Sequence, residues 1–191
     1  MNKDVDKPAL NPTLWRTCRM LAGATRVKLL RELHDRPGRG VTELARAAGI
    51  GTSDASQELR RIQSRGLLQV DRRGSHVLYR FGADPQVASA APLLRALRTT
   101  LARNRKTQDP EIARIAQGLA HPRRIAIAKA LRRSPLRPGQ LREALGLATS
   151  TARPHLARLV ESGWVKRAGD WLVLEPAGHP LAKALIRLLE P

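Results

Sequence analysis

Residues 49–68 read GIGTSDASQELRRIQSRGLL, and this stretch decides the fold. Its apolar residues recur at heptad-like spacing and therefore share one face of a helix: Ala55, Leu59 and Ile62. Thr52 or Ser53 can cap the start of this helix, and Gly66 can end it. Gly49 can end a shorter helix formed by the preceding residues. The stretch therefore predicts two short helices that meet at a turn containing glycine.

The same pattern returns in the second half of the chain, where residues 146–165 read GLATSTARPHLARLVESGWV. A shift of 98 residues, or of 97 from Leu44 onward, lays the first half on the second. Matched pairs occur along the whole period: Arg26 with Arg124, Leu33 with Leu131, Leu59 with Leu156 and Gly66 with Gly163. Such ordered matches indicate that one unit is duplicated. The sequence predicts two domains, residues 1–103 and 110–191, joined by a polar linker over residues 104–109.

Each unit is predicted to be mostly helical with one hairpin. Thr25 can cap a second helix and Thr42 a third. Residues 67–70 and 77–81 have the composition of two strands around an arginine-rich turn at 72–75. A final helix follows the hairpin. The order in each unit is helix, helix, helix-turn-helix, hairpin, helix, so the predicted fold class is mainly α with small β-hairpins (α+β).

The charge of the chain narrows the choice of partners. Lys and Arg number 35 against 16 acidic residues, which gives a formal net charge of +19, and arginine supplies most of it. Such a field attracts polyanions. No run of about 18 apolar residues is present, so the sequence predicts no membrane span and no membrane partner. The single cysteine, Cys18, allows no intrachain disulfide and suits a reducing compartment, so we expect a cytoplasmic, nucleoid-associated protein.

A helix-turn-helix places its second helix in a DNA major groove. We therefore expect recognition helices near residues 52–65 and 149–162, and wings formed by the two hairpins, on double-stranded DNA. The candidate contact residues are hydroxyl, amide and basic side chains: Thr52, Ser53, Ser56, Gln57, Arg60, Arg61, Arg72, Arg73, Thr149, Ser150, Thr151, Arg153, His155, Arg158, Lys166 and Arg167. Helix capping by the hydroxyls and a solvated helix face for the arginines are alternative interpretations. For the three tryptophans we expect core packing rather than base stacking: Trp15, Trp164 and Trp171.

Residues 21–33, LAGATRVKLLREL, and 119–131, LAHPRRIAIAKAL, resemble the second-helix signature of the ArsR family of winged-helix repressors. Residues 49–68 and 77–81 resemble the helix-turn-helix and wing of that family. The resemblance covers nearly all of both halves. It implies a transcription regulator, by analogy a repressor, with a winged helix-turn-helix domain in each half.

Members of that family usually carry one unit and dimerise through the first and last helices. Here the resemblance implies an internal pseudo-dimer, with a further homodimer as a possible assembly. Its seam would contain four helices, near residues 14–21, 93–101, 112–119 and 181–189. Because the two copies differ, we expect an asymmetric DNA site.

The chain departs from the family at its sensor sites. Residues 40–43 and 137–140 lack the Cys-x-Cys pair that many members use to bind metals, so we expect no metal and no cofactor. Cys18 is expected to be a small packed apolar residue, and an intermolecular disulfide or a thiol sensor is the alternative. In the second recognition helix, Pro154 predicts either a late start near Thr151 or a kink. In the first, negative charge opposes phosphate: Asp54 and Glu58.

Three other functions compete with specific DNA recognition. A non-specific architectural DNA-binding protein would use the net charge without reading bases. A tandem winged-helix module could instead bind only other proteins. An enzyme is the weakest rival, because the sequence has no metalloprotease motif, no phosphate-binding glycine loop and no nucleophile elbow. RNA is disfavoured as a partner because no aromatic stacking surface is apparent.

Overall fold

The computed structural model describes residues 13–74, 76–176 and 178–189. In the first half the elements are α1 (Leu14–Leu21), α2 (Ala24–Asp35), β1 (Arg39–Gly40), α3 (Val41–Ala48), α4 (Thr52–Gln63), β2 (Leu68–Arg73), β3 (His76–Phe81) and α5 (Ala90–Arg103). In the second half they are α6 (Asp109–Leu119), α7 (Pro122–Arg133), α8 (Pro138–Leu145), α9 (Thr149–Glu161), β4 (Val165–Ala168), β5 (Trp171–Leu174) and α10 (Pro180–Arg187). A mainly helical fold with small antiparallel sheets is confirmed. The first twelve residues of the predicted first domain, and Ser75 in its predicted hairpin turn, lie outside the described residues.

Glycines with left-handed backbone angles separate the elements in both halves. Gly49 follows α3 with φ +70°, and Gly146 follows α8 with φ +60°. Gly66 and Gly163, which precede the two hairpins, also have positive φ. Residues with a Cβ rarely adopt this conformation, so glycine is favoured at all four positions, and at Gly49 and Gly146 it caps the end of the helix. The spacing of the repeat therefore reappears in the backbone geometry.

The hydroxyl caps that the sequence predicts in the first half are wrong: Thr25, Thr42, Thr52 and Ser53 lie inside their helices. In α2, α3 and α4 the capping position is a glycine immediately before the helix. At α3 the backbone N–H of Gly40 donates to the Glu43 carboxylate at 3.1 Å. The helices thus begin one or two residues earlier than a hydroxyl cap would require.

The hairpins are short antiparallel pairs. β2 and β3 pair from Leu68 opposite Phe81 to Arg73 opposite His76, and β1 extends this sheet on the other side of β3. β4 and β5 form a separate two-stranded sheet. In each half the hairpin directly follows the second helix of the pair that meets at the glycine turn.

The core is built mostly from Leu, Ile, Val and Ala, and Trp164 is its largest side chain. Its Nε1–H donates to the Ile115 carbonyl at 2.8 Å, and only a glycine fits beside the ring at Gly118. The core position expected for Trp164 is confirmed, whereas the same prediction for Trp171 is wrong because that ring is 40% exposed. Alternation along β5 turns the neighbouring residue into the core and Trp171 outward. Trp15 is half-buried.

Cys18 is fully buried, as expected of a packed apolar residue. Burial raises the pKa of its thiol to about 12. The thiol therefore stays protonated and unreactive in the folded chain.

The two halves pack through their first and last helices. α1 contacts α6, α5 contacts α10, and α2 also contacts α6. At this seam Arg31 on α2 is 5% exposed and forms two hydrogen bonds to Asp109 on α6, of 2.6 and 3.1 Å. Its guanidinium also donates to the carbonyls of Leu101 and Asn104. One arginine therefore joins α2, the end of α5, the connecting segment and the start of α6.

Candidate nucleic-acid interface

α4 has one buried and one exposed face. Ala55, Leu59 and Ile62 are fully buried, which confirms the inward stripe that the sequence predicts. The predicted contact residues on this helix are exposed, apart from Ser56, which is half-buried: Thr52, Ser53, Gln57, Arg60 and Arg61. The residues that the sequence places on the outer face of α4 are thus accessible together.

α9 repeats this arrangement with different side chains. Ala152, Leu156 and Leu159 are buried. Of the predicted contact residues, four are exposed and two are half-buried: exposed Thr149, Ser150, Arg153 and Arg158, and half-buried Thr151 and His155. The Thr149 hydroxyl accepts a hydrogen bond of 2.5 Å from the Arg142 guanidinium on α8. This contact ties the start of α9 to the preceding helix.

Pro154 lies inside α9, which begins at Thr149 and continues to Glu161. The predicted late start near Thr151 is therefore wrong. Because proline has no N–H, it cannot donate the usual helical hydrogen bond to the Ser150 carbonyl.

Both hairpins expose basic residues. Arg72 and Arg73 end β2, and Lys166 and Arg167 lie on β4. The Lys166 ammonium is 3.6 Å from the Glu175 carboxylate. Because both side chains are exposed, this ion pair contributes little stability. Exposed guanidinium and ammonium groups of this kind suit phosphate oxygens.

Glu58 does not present its charge at the outer face of α4. Its carboxylate is 15% exposed and contacts the Arg26 guanidinium at 2.6 Å. It also pairs with Arg61, so Arg61 is engaged within the protein. Two guanidinium groups therefore neutralise the carboxylate that the sequence predicts to oppose phosphate. Asp54 is exposed in the first turn of the helix.

At the position equivalent to Glu58, α9 has His155, which contacts His121 before α7. The two ring centroids are 4.4 Å apart. Burial lowers the pKa of both imidazoles, and the charge of Arg124 lowers them further. His121 also caps α7, since its Nδ1 accepts from the Arg123 N–H at 3.1 Å. His121 is not among the residues predicted from the sequence. The repeat aligns His121 with Gly23, and this difference between the two halves is the signal that could have marked the position.

The described residues contain neither a group of metal-ligating side chains nor a helix suited to span a membrane. Across residues 13–74, 76–176 and 178–189, no three His, Cys, Asp or Glu side chains are grouped so that they could hold a metal ion. Within the same ranges, no helix has both the length and the apolar character needed to cross a bilayer.

Residues 112–191 match the family model described as "HVO_A0261 N-terminal domain". The match begins inside α6 and extends through α7, α8, α9 and the second hairpin to the last residue. It thus covers the second copy of the repeat and not the first. No curated protein matches the chain.

Proposed function

We propose that the chain is a double-stranded DNA-binding transcription regulator, acting as a repressor, with winged helix-turn-helix domains over residues 1–103 and 110–191. The observation that carries this proposal is the pair α4 and α9. Each follows a left-handed glycine turn, buries an apolar stripe and exposes hydroxyl and arginine side chains. Each is followed by a hairpin with exposed basic residues, the arrangement of a recognition helix and its wing.

The net charge of +19 supports a polyanionic partner. Phosphate contacts by Arg and Lys release counterions from DNA and supply much of the affinity. Base discrimination then depends on groups that can form paired hydrogen bonds in the major groove. On α4 these are Gln57 and Arg60, and on α9 the arginine is Arg153, all exposed.

The packing of α1 on α6 and of α5 on α10 supports an internal pseudo-dimer. These are the helices that the resemblance assigns to a dimer seam. In such an arrangement the two recognition helices would reach successive major grooves, about 34 Å apart. Because Pro154 and His155 in α9 replace Gln57 and Glu58 in α4, the two half-sites should differ in sequence.

The experiment is selection of DNA from a random pool at two salt concentrations, followed by binding measurements on selected and random duplexes. Specific recognition predicts an affinity ratio of about 10³ or more between the two duplexes. The variant Arg60→Gln/Arg153→Gln should lose about 1–3 kcal/mol per lost base contact on the selected duplex, and less on the random one. Arg95→Gln/Arg103→Gln removes two exposed charges from α5 and is the matched control.

The rival functions give different results in the same experiment. A non-specific architectural protein, which the net charge also favours, would yield no preferred sequence and equal losses on both duplexes. For a protein-interaction module, the variant Arg60→Gln/Arg153→Gln would leave the affinity for both duplexes unchanged. Selection of perfect palindromes alone would favour a homodimer over an internal pseudo-dimer.

A further inference from the structure

An arginine-lined cleft opens beside α4, between α1 and the start of α2. Its volume is about 460 Å³. Five of its eight lining residues are arginine, and the set is Trp15, Arg16, Arg19, Met20, Arg26, Arg61, Ser64 and Arg65. None of the eight is acidic. These eight residues together form the arginine cleft.

The arginine cleft has more guanidinium groups than carboxylates to pair with them. Glu58 is the carboxylate that bonds to the cleft, and it pairs with Arg26 and Arg61. In the part of the chain that the structure describes, the guanidinium groups of Arg16, Arg19 and Arg65 have no hydrogen bond or ion pair, although Arg16 contacts the Trp15 ring.

Arg65 is the least exposed of these three side chains. Burial lowers its pKa, and the positive charge of Arg16 lowers it further. Clustering like charges without counter-ions is costly, and it is relieved when an anion binds.

The second half of the chain shows that the same scaffold can neutralise these positions. By the repeat, Arg16 corresponds to Arg114, and Arg114 is bonded to the Glu111 carboxylate at 2.6 Å. Arg61 corresponds to Arg158, which is 3.0 Å from the Glu161 carboxylate. In the first half the positions of these two acids are occupied by Thr13 and Ser64, and Arg65 replaces a serine. Arg19 likewise stands where the second half has Gln117, so the first half has two cleft arginines that the second half lacks, and it has no acid at the positions of Glu111 and Glu161.

We propose that the arginine cleft binds the phosphoryl groups of an anionic ligand. Planar guanidinium groups bind phosphate oxygens in pairs, and several of them can hold two or more adjacent phosphoryl groups. A free polyphosphorylated molecule and consecutive phosphates of a DNA strand present this same chemistry. The second source rests on the proposed function, whereas the first does not.

Arg61 links the arginine cleft to the candidate interface on α4. It is exposed, belongs to the predicted contact residues and is paired with Glu58. An anion in the cleft competes with Glu58 for this guanidinium. If the ligand is a free molecule, its binding changes the charge that α4 offers to DNA, and the cleft is then an effector site.

The test uses the full chain and inorganic tripolyphosphate as the probe, with calorimetric titration at fixed ionic strength. Arg16→Gln/Arg65→Gln removes two cleft charges whose side chains have no hydrogen bonds among the described residues, so the fold should be retained. Loss of two charge-assisted contacts should weaken binding by about 10- to 100-fold. The control variant Arg95→Gln/Arg103→Gln lowers the net charge equally and should stay within about twofold of the wild type.

Duplex DNA binding is measured on the same proteins against salt concentration. If tripolyphosphate binding is saturable and selectively weakened by Arg16→Gln/Arg65→Gln, the ligand is a free phosphorylated molecule. If only the salt slope for DNA becomes shallower, by about 1–2 for this variant and not for the control, the ligand is the DNA backbone. Equal effects of the two variants, or no effect of either, would overturn the inference. Tripolyphosphate binding without any DNA binding would refute the proposed function and leave the inference standing.

Discussion

Asp109→Asn should strongly destabilise the fold, because it removes the negative charge from a buried ion pair at the seam. Arg31 and Asp109 are 5% and 8% exposed, so water cannot replace the lost partner. The carboxylate receives two hydrogen bonds, from Nε at 3.1 Å and from Nη2 at 2.6 Å. Asparagine keeps the shape but points an N–H₂ group at one of these donors.

The magnitude follows from what remains around Arg31. The carbonyls of Leu101 and Asn104 still accept from it but carry no charge, and the one charged partner left is the exposed Asp35 carboxylate, 3.8 Å from Nη1, which water screens. Breaking a buried pair by removing one partner costs about 3–5 kcal/mol. Replacing both partners by apolar residues, as in Arg31→Met/Asp109→Leu, should recover part of this loss, because no charge is then left unpaired.

The assay is urea unfolding followed by far-ultraviolet circular dichroism. Glu111→Gln is the matched control: it removes a carboxylate from the same helix turn, but Glu111 is 37% exposed. The control should lose less than about 1 kcal/mol. If Asp109→Asn unfolds at the same urea concentration as Glu111→Gln, the pair is hydrated and the reasoning about the seam fails.

Two further predictions concern titration and backbone conformation. Stability should fall as the pH drops through 6.5, because burial lowers the pKa of His121 and His155 and the unfolded chain then binds more protons. His121→Asn/His155→Gln should make stability depend less on pH, as measured by urea unfolding above and below pH 6.5. Burial also lowers the pKa of His179, so part of the dependence should remain. An unchanged pH dependence in the variant would contradict this prediction. Gly49→Ala and Gly146→Ala should each cost about 1–2 kcal/mol in thermal unfolding, whereas Gly139→Ala on α8, with open space around it, should cost nothing. Equal losses at all three glycines would refute this.

The order of elements could be predicted from the sequence because it depends on local signals. Apolar spacing predicts the buried stripe of α4, and Gly49 predicts the end of α3, since both features act within one or two turns of chain. Because the sequence repeats, the same apolar spacing and the same glycine positions occur in both halves, which makes each prediction more reliable. Helix starts were less predictable: a glycine and a hydroxyl stand next to each other at Gly51 and Thr52, and either can precede a first turn.

The features of the candidate site that depend on distant residues could not be predicted. The Glu58 contact with Arg26 joins residues on different helices, so the sequence suggested an exposed acid on α4 where the structure has a neutralised one. The histidine contact before α7 and the arginine cleft likewise form only when separate elements meet. Trp171 illustrates the reverse error, since a two-stranded hairpin has one face turned away from the core, and there the ring contacts the Arg137 guanidinium at 5.1 Å instead of core side chains.

The seam between the two halves has a consequence for how the protein can change. In a homodimer every substitution appears twice, so a residue that helps one subunit is imposed on the other. Here Trp164 and its glycine partner belong only to the second half, and the arginine cleft only to the first. Since both copies share one chain, their association is also intramolecular and does not weaken on dilution. Each half can therefore acquire its own chemistry while the partnership between them persists at any cellular concentration.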